Sequence, residues 1–177
     1  MRYQGDPICY RDNEPEGVTL VAPTYELDMP KWVNILEQSK WAVEDGFRQG
    51  GLDNFARNVF ADPASMVFGA YDHREWSGLV FLSHIRVGQD AMLNGYAHRY
   101  GARRTIERAV EAVTLLTWWA VNELKLKVIR IDFAEPNKSV KVVAELAGYK
   151  FAGYHSAHRV YDGQHIATVV YERLRAD

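Results

Sequence analysis

Apolar and polar residues alternate through Val128, Ile129, Ile131 and Phe133, and the β-branched character of this run predicts a buried strand. Glu135-Pro136-Asn137 interrupts the alternation and supplies a helix start, because proline stops a strand and asparagine caps a helix. The stretch 138–147 then changes period: Val142, Val143, Leu146 and Ala147 recur at helical spacing, and Gly148 stands where a C-terminal capping glycine belongs. Tyr149, Phe151 and Tyr154 open another strand. Asp162-Gly163 predicts a tight turn into a last strand through Val169, Val170 and Tyr171.

The same reading extends upstream. Residues 1–17 are polar and broken by Gly5, Pro7, Pro15 and Gly17, which predicts an irregular arm with a short edge strand near Ile8 to Tyr10. Residues 18–177 then form a single domain. Val18 to Ala22 reads as a first strand. Asp28-Met29-Pro30 reads as an N-cap followed by a first-turn proline, opening a helix with Trp32, Val33, Ile35 and Leu36 that extends toward Val43. Leu52, Phe55, Ala56, Val59 and Phe60 mark a second helix, stopped at Asp62-Pro63. Met66 to Tyr71, Gly78 to Ile85 and Met92 to Ala97 read as three strands. A long helix from Arg103 to Leu124 follows, with Ile106, Val110, Val113, Leu116, Trp118 and Val121 as its apolar positions. The predicted order is β-α-α-β-β-β-α-β-α-β-β, a mixed α/β fold.

Composition narrows the function without naming it. At 177 residues, 47% hydrophobic and 25% charged, the chain suits one domain with a substantial core. A net charge of −2 gives no general attraction for nucleic acid or anionic membrane, although Arg99, Arg103, Arg104 and Arg108 cluster locally. The single cysteine, Cys9, excludes an internal disulfide and a cysteine-built metal site. His155, His158 and His165 straddle the expected hairpin without a supporting carboxylate cluster, so no metal is expected. No apolar run reaches membrane-spanning length and the N-terminus lacks a secretory pattern, so a cytoplasmic location is the expectation.

The order strand, Pro136-x-Asn137 turn, short helix, Gly148-aromatic, DG hairpin resembles the GCN5-related N-acetyltransferase (GNAT) superfamily. The resemblance covers residues 65–174 and is nearest the branch that acetylates ribosomal-protein and other N-terminal amines. It implies a mostly antiparallel sheet whose fourth and fifth strands splay apart, with acetyl-CoA in the wedge. It also implies that a Q/R-x-x-G-x-G/A loop opening the long helix holds the pyrophosphate, since a helix N-terminus offers unpaired N–H donors. The matching segment is Arg99-Tyr100-Gly101-Ala102-Arg103-Arg104. Arg99 fits the first position, Ala102 stands where a glycine is expected, and Arg104 takes the last small position. Gly101 serves if the loop is shifted by one residue. Two readings of Arg104 stand side by side, a phosphate-binding guanidinium and, with Arg103, a solvated first-turn residue.

For the chemistry, the resemblance implies backbone donors near Tyr96 or Ala97 for the developing oxyanion, and Asn137 either as N-cap or as a CoA contact. The family's thiolate-protonating serine falls on Val140, with Ser139 one residue earlier. Tyr149, standing where phenylalanine is usual, is a candidate proton donor or a core ring. His84 and His98 are the candidate bases, and Gly95 is read as permitting a bulge or a close ligand approach. Trp32 and Trp41 are read as acceptor-pocket or packing residues. In the Trp118-Trp119 pair one ring is core and the other a lid or an oligomer contact. The expected activity is acetyl transfer from acetyl-CoA to a primary amine. Its alternative is a catalytically degenerate GNAT-fold module of bacteriophage type, docking a protein through Tyr3, Ile8, Cys9 and Tyr10. The enzyme requires an open wedge, and the module one plugged by Arg104, Val140 or an aromatic ring.

Overall fold

The computed structural model describes residues 5–8, 17–38, 43–73, 75–97 and 102–175. Among them are the strands β1 (Val18–Val21), β2 (Met66–Asp72), β3 (Glu75–Arg86), β4 (Asp90–Ala97), β5 (Val128–Ala134), β6 (Lys150–Tyr161) and β7 (Gln164–Leu174). The helices are α1 (Tyr25–Gln38), α2 (Asp45–Gln49), α3 (Leu52–Ala61), α4 (Ala102–Glu123) and α5 (Lys138–Leu146). One sheet runs in the order β1-β2-β3-β4-β5-β7-β6. Every neighbouring pair is antiparallel except β4 and β5.

Strand alternation sends successive side chains to opposite faces, and each face builds its own core. Phe68, Val80, Leu82, Leu93, Ile129, Ile131 and Phe133 point to the face covered by α4 and α5, against Leu115, Leu116, Trp119 and Ala144. Val67, Leu79 and Phe81 point the other way, against Trp32 and Leu36 of α1 and Ala56 of α3. Trp32 is fully buried and ringed by Phe55, Phe60, Phe81 and Tyr96 at centroid distances of 5.3–6.1 Å, so it packs α1 onto the sheet. Trp119 meets Phe68 edge-on at 5.5 Å, while Trp118 is exposed.

Three expectations are corrected. Asp28 is not the N-cap of α1. The helix starts at Tyr25, just after Thr24, whose carbonyl accepts the N–H groups of Leu27 and Asp28, and the Asp28 carboxylate reaches back to accept the Thr24 N–H at 2.9 Å. A side chain inside the first turn thus satisfies a donor that the helix leaves open, and Pro30 lies within the helix. Second, α1 is described as far as Gln38, and Val43 stands outside any helix, ahead of the short α2; residues 39–42 lie outside the described residues. Third, β4 carries no bulge at Gly95: its pairing with β3 runs without a shift from Ser83↔Met92 to Gly78↔Ala97. The irregularity falls on β3, between Ser83 and Arg86, where His84 takes a φ of 53°.

Gly78 makes the tight β3–β4 approach possible. A Cβ there would lie 2.3 Å from the Tyr96 carbonyl oxygen, and the residue's φ is 152°. Asp162 and Gly163 turn the β6–β7 hairpin with φ of 49° and 73°, the left-handed pair that a two-residue turn of this hand requires. Ile8 is buried and exchanges two backbone hydrogen bonds with Leu20, at 2.8 and 2.9 Å, so this part of the arm is fastened to β1. Tyr3, Cys9, Tyr10 and Trp41 lie outside the described residues.

Candidate functional site

β4 and β5 are hydrogen-bonded only over Asp90–Met92 and Val128–Arg130. Beyond that point β4 stays with β3 as far as Ala97, and β5 stays with β7 as far as Ala134. The two strands therefore diverge, each held by its other neighbour, and the edge of β4 past Met92 is left without β5 as a partner. An ion cluster around the buried Asp90 fastens the closed end: Asp90 is gripped by the exposed Arg86 and, at 2.8 Å, by Arg130. Those hydrogen bonds, Arg86's first, hold the Asp90 pKa down at about 2.

A cleft of about 320 Å³ occupies the divergence, and its lining comes from both faces of the sheet. On the α4/α5 face it is bounded by Thr105, Ile106 and Arg108 of α4 and by Asn137, Ser139 and Val140 at the start of α5. On the opposite face it meets Ile35 and Gln38 of α1, Tyr96 of β4, Asp132 of β5, and Arg159 and Tyr161 of β6. The wedge is open. Among the described residues the plug expected of a non-catalytic module is not seen: Val140 stands at the wall, and Arg104 is tied to Asp72.

Arg104 is neither merely solvated nor directed into the cleft. Its Nη2 donates to Asp72 Oδ2 at 2.9 Å, and Arg108 Nε lies 2.8 Å from the same oxygen. Asp72 ends β2 and is almost wholly buried, so the two guanidinium groups neutralise it and anchor the first turns of α4 to the sheet. Asn137 stands at the N-cap position of α5 but makes no capping bond with its side chain, which leaves it a cleft residue. Tyr96 and Ala97 line the cleft. His98, Arg99 and Gly101 lie outside the described residues, as do the side chains of Ala102 and Arg103.

Two candidates are placed away from this centre. His84 sits at the far end of β3, exposed beside Ser83, where the β3 irregularity turns it from the cleft. Tyr149 is buried under α4, its hydroxyl 2.7 Å from Thr117 Oγ1, and burial pushes its pKa up. It is a core tyrosine with a satisfied hydroxyl. His155 and His165 are exposed, the side chain of His158 lies outside what the structure describes, and no group of three metal-ligating side chains occurs among the described residues. No described helix is long and apolar enough to cross a membrane.

The residues that pattern reading missed cluster on the α1 face. Arg159 Nη2 donates to Asp132 at 2.5 Å, its Nε lies 3.3 Å from Glu44, and it bonds the Tyr161 hydroxyl. Burial disfavours the charged guanidinium, yet Asp132, Tyr161 and Glu44 together raise its pKa above the ordinary value. Burial raises the Tyr161 pKa, against the lowering influence of Arg159, and raises that of Tyr96. Asp45 accepts the backbone N–H groups of Asp162 and Gly163 at 2.9 and 2.7 Å, fastening α2 to the hairpin turn beside this cluster. The signal in the sequence was Asp132 itself, a carboxylate in the middle of a strand sandwiched between two helical layers.

Neither a family model nor a curated protein matches the chain in sequence. Solved structures do match in three dimensions. An acetyltransferase of the GNAT family from Bacillus anthracis superposes with a TM-score of 0.72 at 14% identity, over 90% of this chain and 95% of that one. The chain has the GNAT fold. RimL, a ribosomal alpha-N-protein acetyltransferase in complex with coenzyme A, gives a TM-score of 0.74 at 12% identity over 96% of this chain and 98% of its own. MccE, a microcin self-immunity acetyltransferase in complex with acetyl-CoA and AMP, gives 0.69 at 13% identity over 90% and 93%. At such identities the likeness establishes the GNAT fold, and the activity is argued from the cleft.

Proposed function

We propose that the chain is a CoA-dependent N-acyltransferase that moves an acetyl group from acetyl-CoA to a primary amine by direct attack. One observation carries this reading. The cleft passes through the sheet where β4 and β5 part, so a thioester entering from the α4/α5 face can meet an amine entering from the α1 face. The coenzyme would lie against α4 and α5, its pyrophosphate toward the α4 N-terminus and the segment Arg99 to Arg104, with Asn137 and Ser139 at its flank. The likeness to proteins whose structures hold CoA or acetyl-CoA supports a ligand of that kind.

In the reaction the amine nitrogen bonds to the thioester carbonyl carbon, the C–S bond breaks, and the departing thiolate takes up a proton while the nitrogen loses one. Backbone N–H groups at Tyr96 or Ala97, on the stretch of β4 that β5 does not engage, would receive the developing oxyanion. Holding both reactants in one through-sheet cleft supplies the orientation such a step needs.

Calorimetric titration with acetyl-CoA and with CoA tests the reading, followed by thiol release in the presence of amines. Micromolar binding, weakened at least about tenfold by Asn137→Ala, is expected. Absence of heat and of thermal stabilisation at millimolar ligand would overturn it.

A further inference from the structure

We propose that Asn94 holds the acceptor by taking a hydrogen bond from its amine, and that primary amines are therefore used in preference to secondary ones. The assignment rests on the transferase reading and deepens it at the point where the two reactants meet. Met92 is the last residue of β4 paired with β5, and Leu93, next along, turns into the α4/α5 core. Strand alternation then puts Asn94 on the α1 face, in step with Tyr96, which packs against Trp32 and Phe81. Asn94 is thus the first α1-facing residue of β4 beyond the seam, and it lines the cleft. Gly95 beside it is exposed and puts no side chain on the α4/α5 side, so a thioester arriving from there can come level with Asn94.

The amide is oriented from behind. Its Nδ2 donates to Ser83 Oγ on β3 at 3.0 Å, and Ser83 Oγ lies 3.3 Å from His84 Nδ1. A Ser83 hydroxyl that donates to His84 keeps its lone pairs for Asn94, which fixes the amide nitrogen toward β3 and leaves Oδ1 as the outward end. Among the described residues nothing donates to that oxygen. The residue is half-buried, so a donor that reaches Oδ1 in the cleft satisfies a polar group the fold itself leaves open.

The proton count of the reaction decides which donor suits. The nucleophile must be a neutral amine with its lone pair aimed at the thioester carbon. An amide oxygen accepts an N–H without the negative charge that would favour the ammonium form. A primary amine has two hydrogens. One stays bonded to Asn94 from approach to product amide. The other leaves the nitrogen as the C–N bond forms, while the C–S bond breaks and the thiolate takes up a proton. A secondary amine has one hydrogen, and it must leave, so its bond to Asn94 is lost before the product forms.

The test is steady-state thiol release from acetyl-CoA with butylamine and alaninamide, each against its N-methyl counterpart. The primary member of at least one pair should be used about tenfold or more better. Asn94→Ala should lower kcat/KM for that primary amine by about tenfold or more and for its N-methyl partner by clearly less, so that the preference narrows by at least about threefold. Asn94→Asp, which keeps an acceptor oxygen in the same place, should recover part of the loss. Ser83→Ala, which frees the amide to turn, should cost the primary amine a smaller factor, and Ser83→Thr should restore it. Calorimetric affinity for acetyl-CoA should stay within about twofold in every variant, because the coenzyme occupies the other face. Equal use of both members of each pair, an unchanged kcat/KM in Asn94→Ala, or equal losses for primary and N-methyl amines overturns the assignment. The transferase reading survives those results if the wild type binds acetyl-CoA and turns it over with an amine. If acetyl-CoA does not bind, both fall together.

Discussion

Single carboxylates decide several features of this molecule, and Asp90 shows how. Its two arginine partners stabilise the ionised form, so its pKa in the folded state, about 2, lies below the ordinary value of 3.8. A depressed carboxylate pKa means that the unfolded chain binds the proton first. The stabilisation is complete above the ordinary pKa and is lost as pH falls from about 4 toward about 2. Urea midpoints measured across that window should fall steeply for the wild type and less steeply for Asp90→Asn, which is also expected to be less stable at neutral pH. Identical acid slopes would mean that the clamp does not tune Asp90. The location gives the effect a structural meaning, since Asp90 and Arg130 join β4 to β5 across the short stretch where those strands touch.

At the scale of elements, the close approach of β3 and β4 rests on one glycine. Gly78→Ala would force a Cβ into the Tyr96 carbonyl at 2.3 Å and into a φ that side chains rarely adopt. Neither strand can yield, because each is paired on its other side or carries the cleft wall. We expect a loss of at least about 2 kcal/mol by denaturant unfolding, with Gly88→Ala as a comparison at a loop glycine whose added Cβ meets nothing. The elements themselves were largely legible in the sequence: the switch from alternation at Val128–Phe133 to helical spacing at Val142–Ala147 is local chemistry, and so is the Asp162-Gly163 turn. What escaped was non-local. The start of α1 depends on Asp28 folding back to Thr24, and the irregularity of β3 depends on its pairing with β4. The Asp132–Arg159–Glu44 group joins three segments far apart in the chain. Tyr149 and Arg104 were read by motif position, and their partners Thr117 and Asp72 could be known only from packing.

For the whole molecule, the decisive property is that the sheet is continuous at one end of the β4–β5 seam and open at the other. Two separate cores keep it so, one under α4 and α5 and one under α1 and α3, and each strand at the seam is secured by the neighbour it does not share. A cleft formed this way can be filled without disturbing either core. Val140 offers the place to do so, because it lines the cleft from the first turn of α5 and is only half-buried. Val140→Trp should fold and unfold much as the wild type does, yet bind acetyl-CoA at least about tenfold more weakly. In thermal unfolding, the wild type should gain about 2.7 kcal/mol at ligand about a hundred times its Kd, and the variant much less at the same concentration. A variant that binds as the wild type does would place the coenzyme elsewhere. A variant that loses both binding and fold would mean that the open seam, and not only its lining, depends on α5 sitting where it does.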